Sequence, residues 1–252
     1  MTTNDELLYE VAEGIATITI NRPESRNALN SAVRSGIRAS LDSFNKNDQA
    51  KVLIITATGN VAFSAGADLK EMSEEHLTIP PDDFISDLAT DKPVIAAVNG
   101  LALGGGFFLA QSADLVVAAS HATFGIAEAR YGRGAPWAAP LPLLIPPRVA
   151  LELLMTAQPI TAFRAQNAGL VNFVVPSGEL RSVSRALAQQ IAANAPLSVA
   201  AGKAMVRQTL AEILGDSRQR ANALWEPVYL SEDAQEGPRA FKEKRSPRWQ
   251  GR

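Results

Sequence analysis

Two glycine-bearing segments carry the residue types that could do chemistry: Phe63-Ser-Ala-Gly-Ala-Asp-Leu-Lys-Glu-Met72 and Asn99-Gly-Leu-Ala-Leu-Gly-Gly-Gly-Phe-Phe108. Each follows an apolar, strand-like run and offers backbone where side chains are small or absent. Two such loops brought together can aim two bare N–H groups at one oxygen. Donors fixed in advance stabilise negative charge as it develops, as when a thioester is turned into its enolate. The first segment also holds Ser64 in Phe-Ser-Ala-Gly, part of a nucleophile elbow. The full Gly-x-Ser-x-Gly pattern fails, because Ala62 stands where the first glycine belongs. No strand is followed by Gly-x-Gly-x-x-Gly, which argues against a dinucleotide-binding enzyme.

Composition narrows the chemistry further. With no cysteine, disulfides, thiolate metal sites and a cysteine nucleophile are excluded, and a reducing compartment fits. The only histidines, His76 and His121, are badly spaced for a metal, so no metal is expected. A formal net charge of -2 argues against a general nucleic-acid binder. The polar, acidic start Met-Thr-Thr-Asn-Asp-Glu has neither the basic end nor the apolar centre of a secretory signal, and no apolar run is long enough to cross a bilayer. The expectation is a soluble cytoplasmic protein.

The elements that must position the two segments follow from periodicity. Leu7 to Val11 and Ile15 to Ile20 read as a hairpin. Asn30 or Ser31 can cap a helix in which Val33, Ile37, Leu41 and Phe44 share one face. Val52 to Thr56, Val94 to Val98 and Leu115 to Ala119 are short continuous apolar strands of the kind buried in parallel sheets. The triple glycine opens a helical stretch, Phe107 to Ser112, and the strand–helix alternation implies βαβ crossovers. After Glu128, five prolines between Pro136 and Pro147 predict an irregular wall. Arg148 to Ala157 reads as a helix, and Thr161 caps another that ends at Gly169. Leu170 to Val175 is a strand, and from Leu180 to about Leu230 the pattern is helical, interrupted at Pro196 and Gly215. The division expected is an α/β core over residues 1–195 and a helical region over 196–252.

At this point a family resemblance can be stated. Asn21-Arg-Pro-Glu-Ser-Arg-Asn-Ala-Leu-Asn30, Ala62 to Glu71, Lys92-Pro-Val-Ile-Ala-Ala-Val-Asn-Gly100 and Gly104 to Gly106 resemble the crotonase (enoyl-CoA hydratase/isomerase) superfamily. So do Ala122-Thr-Phe-Gly-Ile-Ala-Glu128, Ile160-Thr-Ala through Gly169-Leu-Val-Asn, and Ser231-Glu-Asp-Ala through Phe241. They occur in the family's order across nearly the whole chain. The resemblance implies an α/β spiral of ββα units with a C-terminal helical trimerisation region. It also implies acyl-CoA thioester substrates, coenzyme A entering only as part of the substrate, no metal, and trimers often paired into hexamers.

It further implies that the oxyanion donors are the N–H groups of Ala67 and Gly105, and that Glu128 is the proton-handling glutamate. Taken alone, Gly104–Gly106 reads as close helix–strand packing; beside the other segments it reads as the site. A carboxylate after Gly125-Ile-Ala, in an apolar setting, would have a raised pKa and could accept and return a proton. Arg26, Ala28, Ala65, Asp68, Leu69 and Lys70 are expected around coenzyme A, with Phe241 and Lys244 matching positions that reach a neighbouring subunit's coenzyme A. Asp68 also reads as orienting its loop, Asp114 as a structural turn or cap residue, and His121 as structural. The departure is at Phe108. The family's hydratases carry a second glutamate two residues after the third glycine, and phenylalanine stands there in this chain. One base above an enolate suits a proton shift between two carbons, the arrangement of the family's enoyl-CoA isomerases, although some hydratase-lyases of the family also manage with one glutamate. Phe108 equally reads as packing. Tyr131 and Trp137 read either as walls of the acyl pocket or as core aromatics. A hydrolase and a non-catalytic coenzyme A binder remain as other classes.

Overall fold

A computed structural model describes residues 5–68, 71 and 88–252. The expected Leu69 and Lys70, and His76, lie outside the described residues. The larger of two sheets has six strands: β1 (Leu7–Ala12), β2 (Ile15–Ile20), β3 (Val52–Ala57), β5 (Val94–Val98), β7 (Leu115–Ala119) and β10 (Phe173–Val175), in that order. β1 and β2 form the hairpin, antiparallel with Leu7 opposite Ile20; every other pair is parallel. All five residues of β5 are buried, which is why this central strand reads as an unbroken apolar run. A second sheet has four very short strands, β4 (Ala62–Ser64), β6 (Leu101–Leu103), β8 (Thr123–Gly125) and β9 (Ile160–Thr161). It has no counterpart in the periodicity, since two or three residues establish none.

α1 (Ser31–Lys46) starts where the Asn30 side chain accepts from the Val33 N–H at 2.9 Å, so Asn30 is the cap. Its Val33, Ile37, Leu41 and Phe44 are buried on one face. α2 (Gly105–Ser112) begins two residues earlier than the sequence predicts, inside the glycine run. The wall after Glu128 consists of two 3₁₀ turns, Glu128–Tyr131 and Pro136–Ala138, and one helical turn, α3 (Leu141–Leu144). α4 (Pro147–Thr156) follows, then α5 (Ala162–Asn167), capped by Thr161. The expected strand from Leu170 forms only from Phe173. The Leu170 N–H instead closes the end of α5, donating to the Ala165 carbonyl at 2.9 Å beyond the left-handed Gly169.

Four helices complete the chain: α6 (Leu180–Ala192), α7 (Pro196–Leu214), α8 (Ser217–Leu230) and α9 (Asp233–Lys242). α6 packs across the larger sheet with Leu180, Ser184 and Ala188 buried. α7 buries none of its residues. Asp114, at the start of β7, ties α7 to the core. Its Oδ2 accepts from the Val94 N–H and meets Lys203 Nζ, both at 2.8 Å, while its Oδ1 accepts from Arg207 Nη2 at 2.8 Å. His121 is likewise a structural tie, its Nε2 lying 2.7 Å from the Asn60 carbonyl.

Candidate active site

The first loop leaves β4 at Ser64 and is held by its own backbone. The Gly66 N–H donates to Ser64 Oγ at 3.1 Å, the Ala65 N–H to the Arg26 carbonyl at 3.0 Å, and the Leu29 N–H to the Gly66 carbonyl at 2.8 Å. The Arg26–Leu29 strip is bent by positive φ at Arg26 and Asn27. It is pinned by the Asn27 amide, which donates to the Thr58 and Ala62 carbonyls at 3.0 and 2.7 Å. Asp68 is held by Arg22, whose Nη1 lies 2.9 Å from Oδ2 and also donates to the Ala28 carbonyl at 2.8 Å. Asp68 therefore orients its loop.

The second loop leaves β6 at Gly104, where φ is +51° and ψ is -119°, a backbone that only glycine adopts without strain. The Gly105 N–H that follows is in the first turn of α2, where amides lack an intrahelical acceptor. Neither it nor the Ala67 N–H donates to an acceptor among the described residues. The two loops touch through glycines: a methyl group on Gly66 would lie 3.2 Å from the Gly105 nitrogen, and one on Gly106 would collide with the Ser64 backbone.

Glu128 arrives over this junction. A methyl group on Gly104 would stand 3.2 Å from Glu128 Oε1 and 3.7 Å from Oε2, so the carboxyl rests on the glycine that precedes the Gly105 amide. Oε1 accepts from the Trp137 indole at 2.9 Å. Oε2 is shut off from solvent and has no hydrogen-bond partner among the described residues, although the residue as a whole is only half-buried. Burial pushes the carboxyl up to about 7, against the Glu128 backbone amide, the Trp137 indole and the Ala127 backbone amide, all of which favour the charged form. A group poised there is suited to take and return a proton near neutrality.

The aromatics of the segment part company. The Trp137 ring sits 5.8 Å from Phe107 and 5.8 Å from Phe108, and Phe108 is 3% exposed. Trp137 and Phe108 thus form the wall beside Glu128. Tyr131 instead turns its ring edge-on to Phe241 at 5.7 Å. Phe241 is half-exposed and meets the Glu128 turn at that ring; Lys244 is exposed. Arg26 is exposed beside the first loop, Ala65 is half-buried in it, and Ala28 is buried with its N–H already donating to Ser25. The structure therefore brings together Gly66–Ala67, Gly105, Glu128, Phe108 and Trp137, with Tyr131, Phe241 and Lys244 on the side of α9.

Sequence reasoning misses the supports of the Glu128 turn. A side chain on Gly237 of α9 would collide with the Tyr131 backbone, and one on Gly134 would meet the Trp225 ring at 2.9 Å. The Tyr229 hydroxyl donates to the Gly134 carbonyl at 3.0 Å, and the Arg133 guanidinium lies 5.1 Å from the Tyr229 ring. The signal for this docking is three glycines: Gly132 and Gly134 close after Glu128, against Asp233 and Trp225, and Gly237 a hundred residues later, against Tyr131. Among the described residues no group of three acidic or histidine side chains is placed to hold a metal, and no helix is long and apolar enough to cross a membrane.

Parallel strands feed two touching glycine loops on an α/β fold, with one carboxyl, its Oε2 buried, over their junction. The chain belongs to the enoyl-CoA hydratase/isomerase family, whose model matches residues 10–252. It is 40% identical over 254 residues to the carnitinyl-CoA dehydratase of Salmonella typhi, covering 94% of this chain and 95% of that one. Its fold is similar to the crystal structure of a carnitinyl-CoA hydratase from Mycobacterium avium, with a TM-score of 0.89 and 38% identity over 99% of this chain and 100% of that one. An enoyl-CoA hydratase/isomerase from Pseudoalteromonas atlantica matches at a TM-score of 0.86 and 30% identity, over 97% and 100% of the two chains.

Proposed function

We propose that this enzyme moves a double bond in an enoyl-CoA thioester, with Glu128 as its single acid/base and the Ala67 and Gly105 amides as its oxyanion hole. The observation that carries this reading is the Glu128 carboxyl, solvent-free at Oε2 and resting over the Gly104–Gly105 junction. Glu128 removes a proton from the carbon next to the thioester, and the electrons pass to the thioester oxygen between the two amides. The resulting enolate extends along the double bond. Glu128 then returns the same proton to the far carbon, so nothing is added or lost. One such amide donor is typically worth about 10²–10³ in rate. Phe108 favours isomerisation over water addition, because a buried aromatic occupies the side where a second carboxylate would orient water.

Arg26, the Ala28 and Ala65 backbone, Lys70 and the Asp68 loop would border the coenzyme A, with Leu69 beside it and Phe241 and Lys244 approaching from the C-terminal side. Assembly into trimers or hexamers is supported by α7, whose Leu197, Met205 and Ile213 are 85%, 65% and 61% exposed. Two other classes fit less well. Ser64 is wholly buried and its Oγ is engaged by the Gly66 N–H, which disfavours a serine hydrolase. A desolvated, unpartnered carboxyl oxygen has no use in a passive coenzyme A binder.

The second reading is a hydro-lyase working with Glu128 alone, favoured by the relatives named carnitinyl-CoA dehydratase and hydratase. Absorbance assays on 3-enoyl-, 2-enoyl- and 3-hydroxyacyl-CoA thioesters separate the two. Isomerisation should outrun hydration, and Phe108→Glu should raise hydration relative to isomerisation. Hydration as fast as isomerisation in the natural protein, or an unchanged ratio in folded Phe108→Glu, would favour the hydro-lyase.

A further inference from the structure

We propose that Trp137 divides the work of the Glu128 carboxyl: its indole N–H pins Oε1, and Oε2 is the oxygen that carries the proton to and from substrate. This rests on Glu128 being the base. An indole N–H is a donor only. While Oε1 accepts from Trp137 at 2.9 Å, a proton on Oε1 would face that N–H, so the proton of the neutral acid belongs on Oε2. Oε2 is also the oxygen that is buried and, among the described residues, without a hydrogen-bond partner.

The indole is held to this task from several sides. Phe107 meets it edge-on at 5.8 Å and Phe108 lies tilted against it at 5.8 Å. Gln111 Nε2 donates to the Trp137 carbonyl at 3.2 Å, and the residue stands in a 3₁₀ turn whose first position is Pro136. Phe108 thereby has a second consequence. Besides removing a carboxylate from the site, it supplies the face that sets the plane of the ring. Trp137 is a positioning residue, acting on substrate through Glu128, and it biases the carboxyl toward its charged form while burial biases it the other way.

The test is the ionisation of Glu128 read directly, by the infrared carbonyl band of its protonated form, assigned by its absence in Glu128→Gln. It is paired with the pH profile of proton exchange between an acyl-CoA and heavy water. Trp137→Phe, and replacement of Trp137 by benzothienylalanine to keep the bicyclic shape without the N–H, should each raise both midpoints by about one pH unit. Maximal exchange should fall about tenfold, with the substrate KM changed less than about twofold. Unmoved midpoints in both folded variants, with Glu128→Gln inactive, overturn the role of Trp137 alone. Full exchange by Glu128→Gln overturns the base itself, and the assignment of Oε2 with it.

Discussion

Glu128 and Asp114 are both carboxylates drawn into the fold, and they are treated in opposite ways. Asp114 is saturated: a backbone amide, the Lys203 ammonium and the Arg207 guanidinium all converge on its two oxygens. Glu128 receives only neutral donors: the Trp137 indole on Oε1 and the pull of the Glu128 and Ala127 backbone amides, with no hydrogen bond of good geometry to Oε2 among the described residues. A carboxylate that fastens a helix to a sheet gains from every partner, since each stabilises the charge it must keep. One that must trade a proton is served by scarcity, because partners would hold it permanently ionised. On the proposed function, the contrast separates a structural acid from a chemical one better than depth of burial does, Asp114 being only 19% exposed itself.

That contrast makes the Glu128 site a cost to the fold, with a definite pH signature. A carboxyl raised from 4.5 to about 7 leaves the folded state holding a proton that the unfolded chain has released. Stability conferred on the protonated form is complete below about pH 4.5, declines as pH rises, and is lost above about pH 7, a swing of about 3 kcal/mol. Glu128→Gln cannot titrate. Its stability relative to the natural protein should therefore improve by about 2.5 kcal/mol between pH 5 and pH 8, measured by urea unfolding. A constant difference across that range would mean that the carboxyl is not desolvated.

Asp114→Asn should do the reverse: it should lose about 2 kcal/mol at every pH from 6 to 8. The loss follows from the Lys203 ammonium, whose side chain is 8% exposed and whose pKa burial already lowers against the pull of Asp114. Turnover of the folded variant should be nearly unchanged. A large loss of turnover without loss of stability would erase the distinction between the two carboxylates.

How much of this was legible depended on what kind of force sets each element. β2, β3, β5 and β7 are deeply buried runs, and composition alone marks them; α1 is announced by Asn30 and four apolar residues on one face. The second sheet is not legible, because its strands are fixed by loop contacts such as Gly106 against Ser64 rather than by any pattern of their own. Ala67, Gly105 and Glu128 are singled out by motifs that occur in family order, and the fold brings the segments that carry them together. Trp137 could not be assigned between wall and core. Nothing in a Pro-rich stretch tells which way an indole N–H points, and here it serves as both, packed on two phenylalanines and bonded to Glu128. The placing of Tyr131 on α9 was equally hidden, since it depends on Gly237 far along the chain.

The smallest effect tests whether the first loop is also under strain of function. Ser64 Oγ satisfies the Gly66 N–H inside a turn where no water reaches it, and the next residue is Ala67. Ser64→Ala removes that acceptor and leaves a buried amide unpaired, at a cost of about 1 kcal/mol. If the loop serves to fix the Ala67 N–H, the variant should lose a few-fold in turnover, with no change in the pH midpoint set by Glu128 and no loss of any coenzyme A release. Thioester hydrolysis present in the natural protein and abolished in Ser64→Ala would instead make the serine a nucleophile, and the oxyanion hole would then be serving acyl transfer.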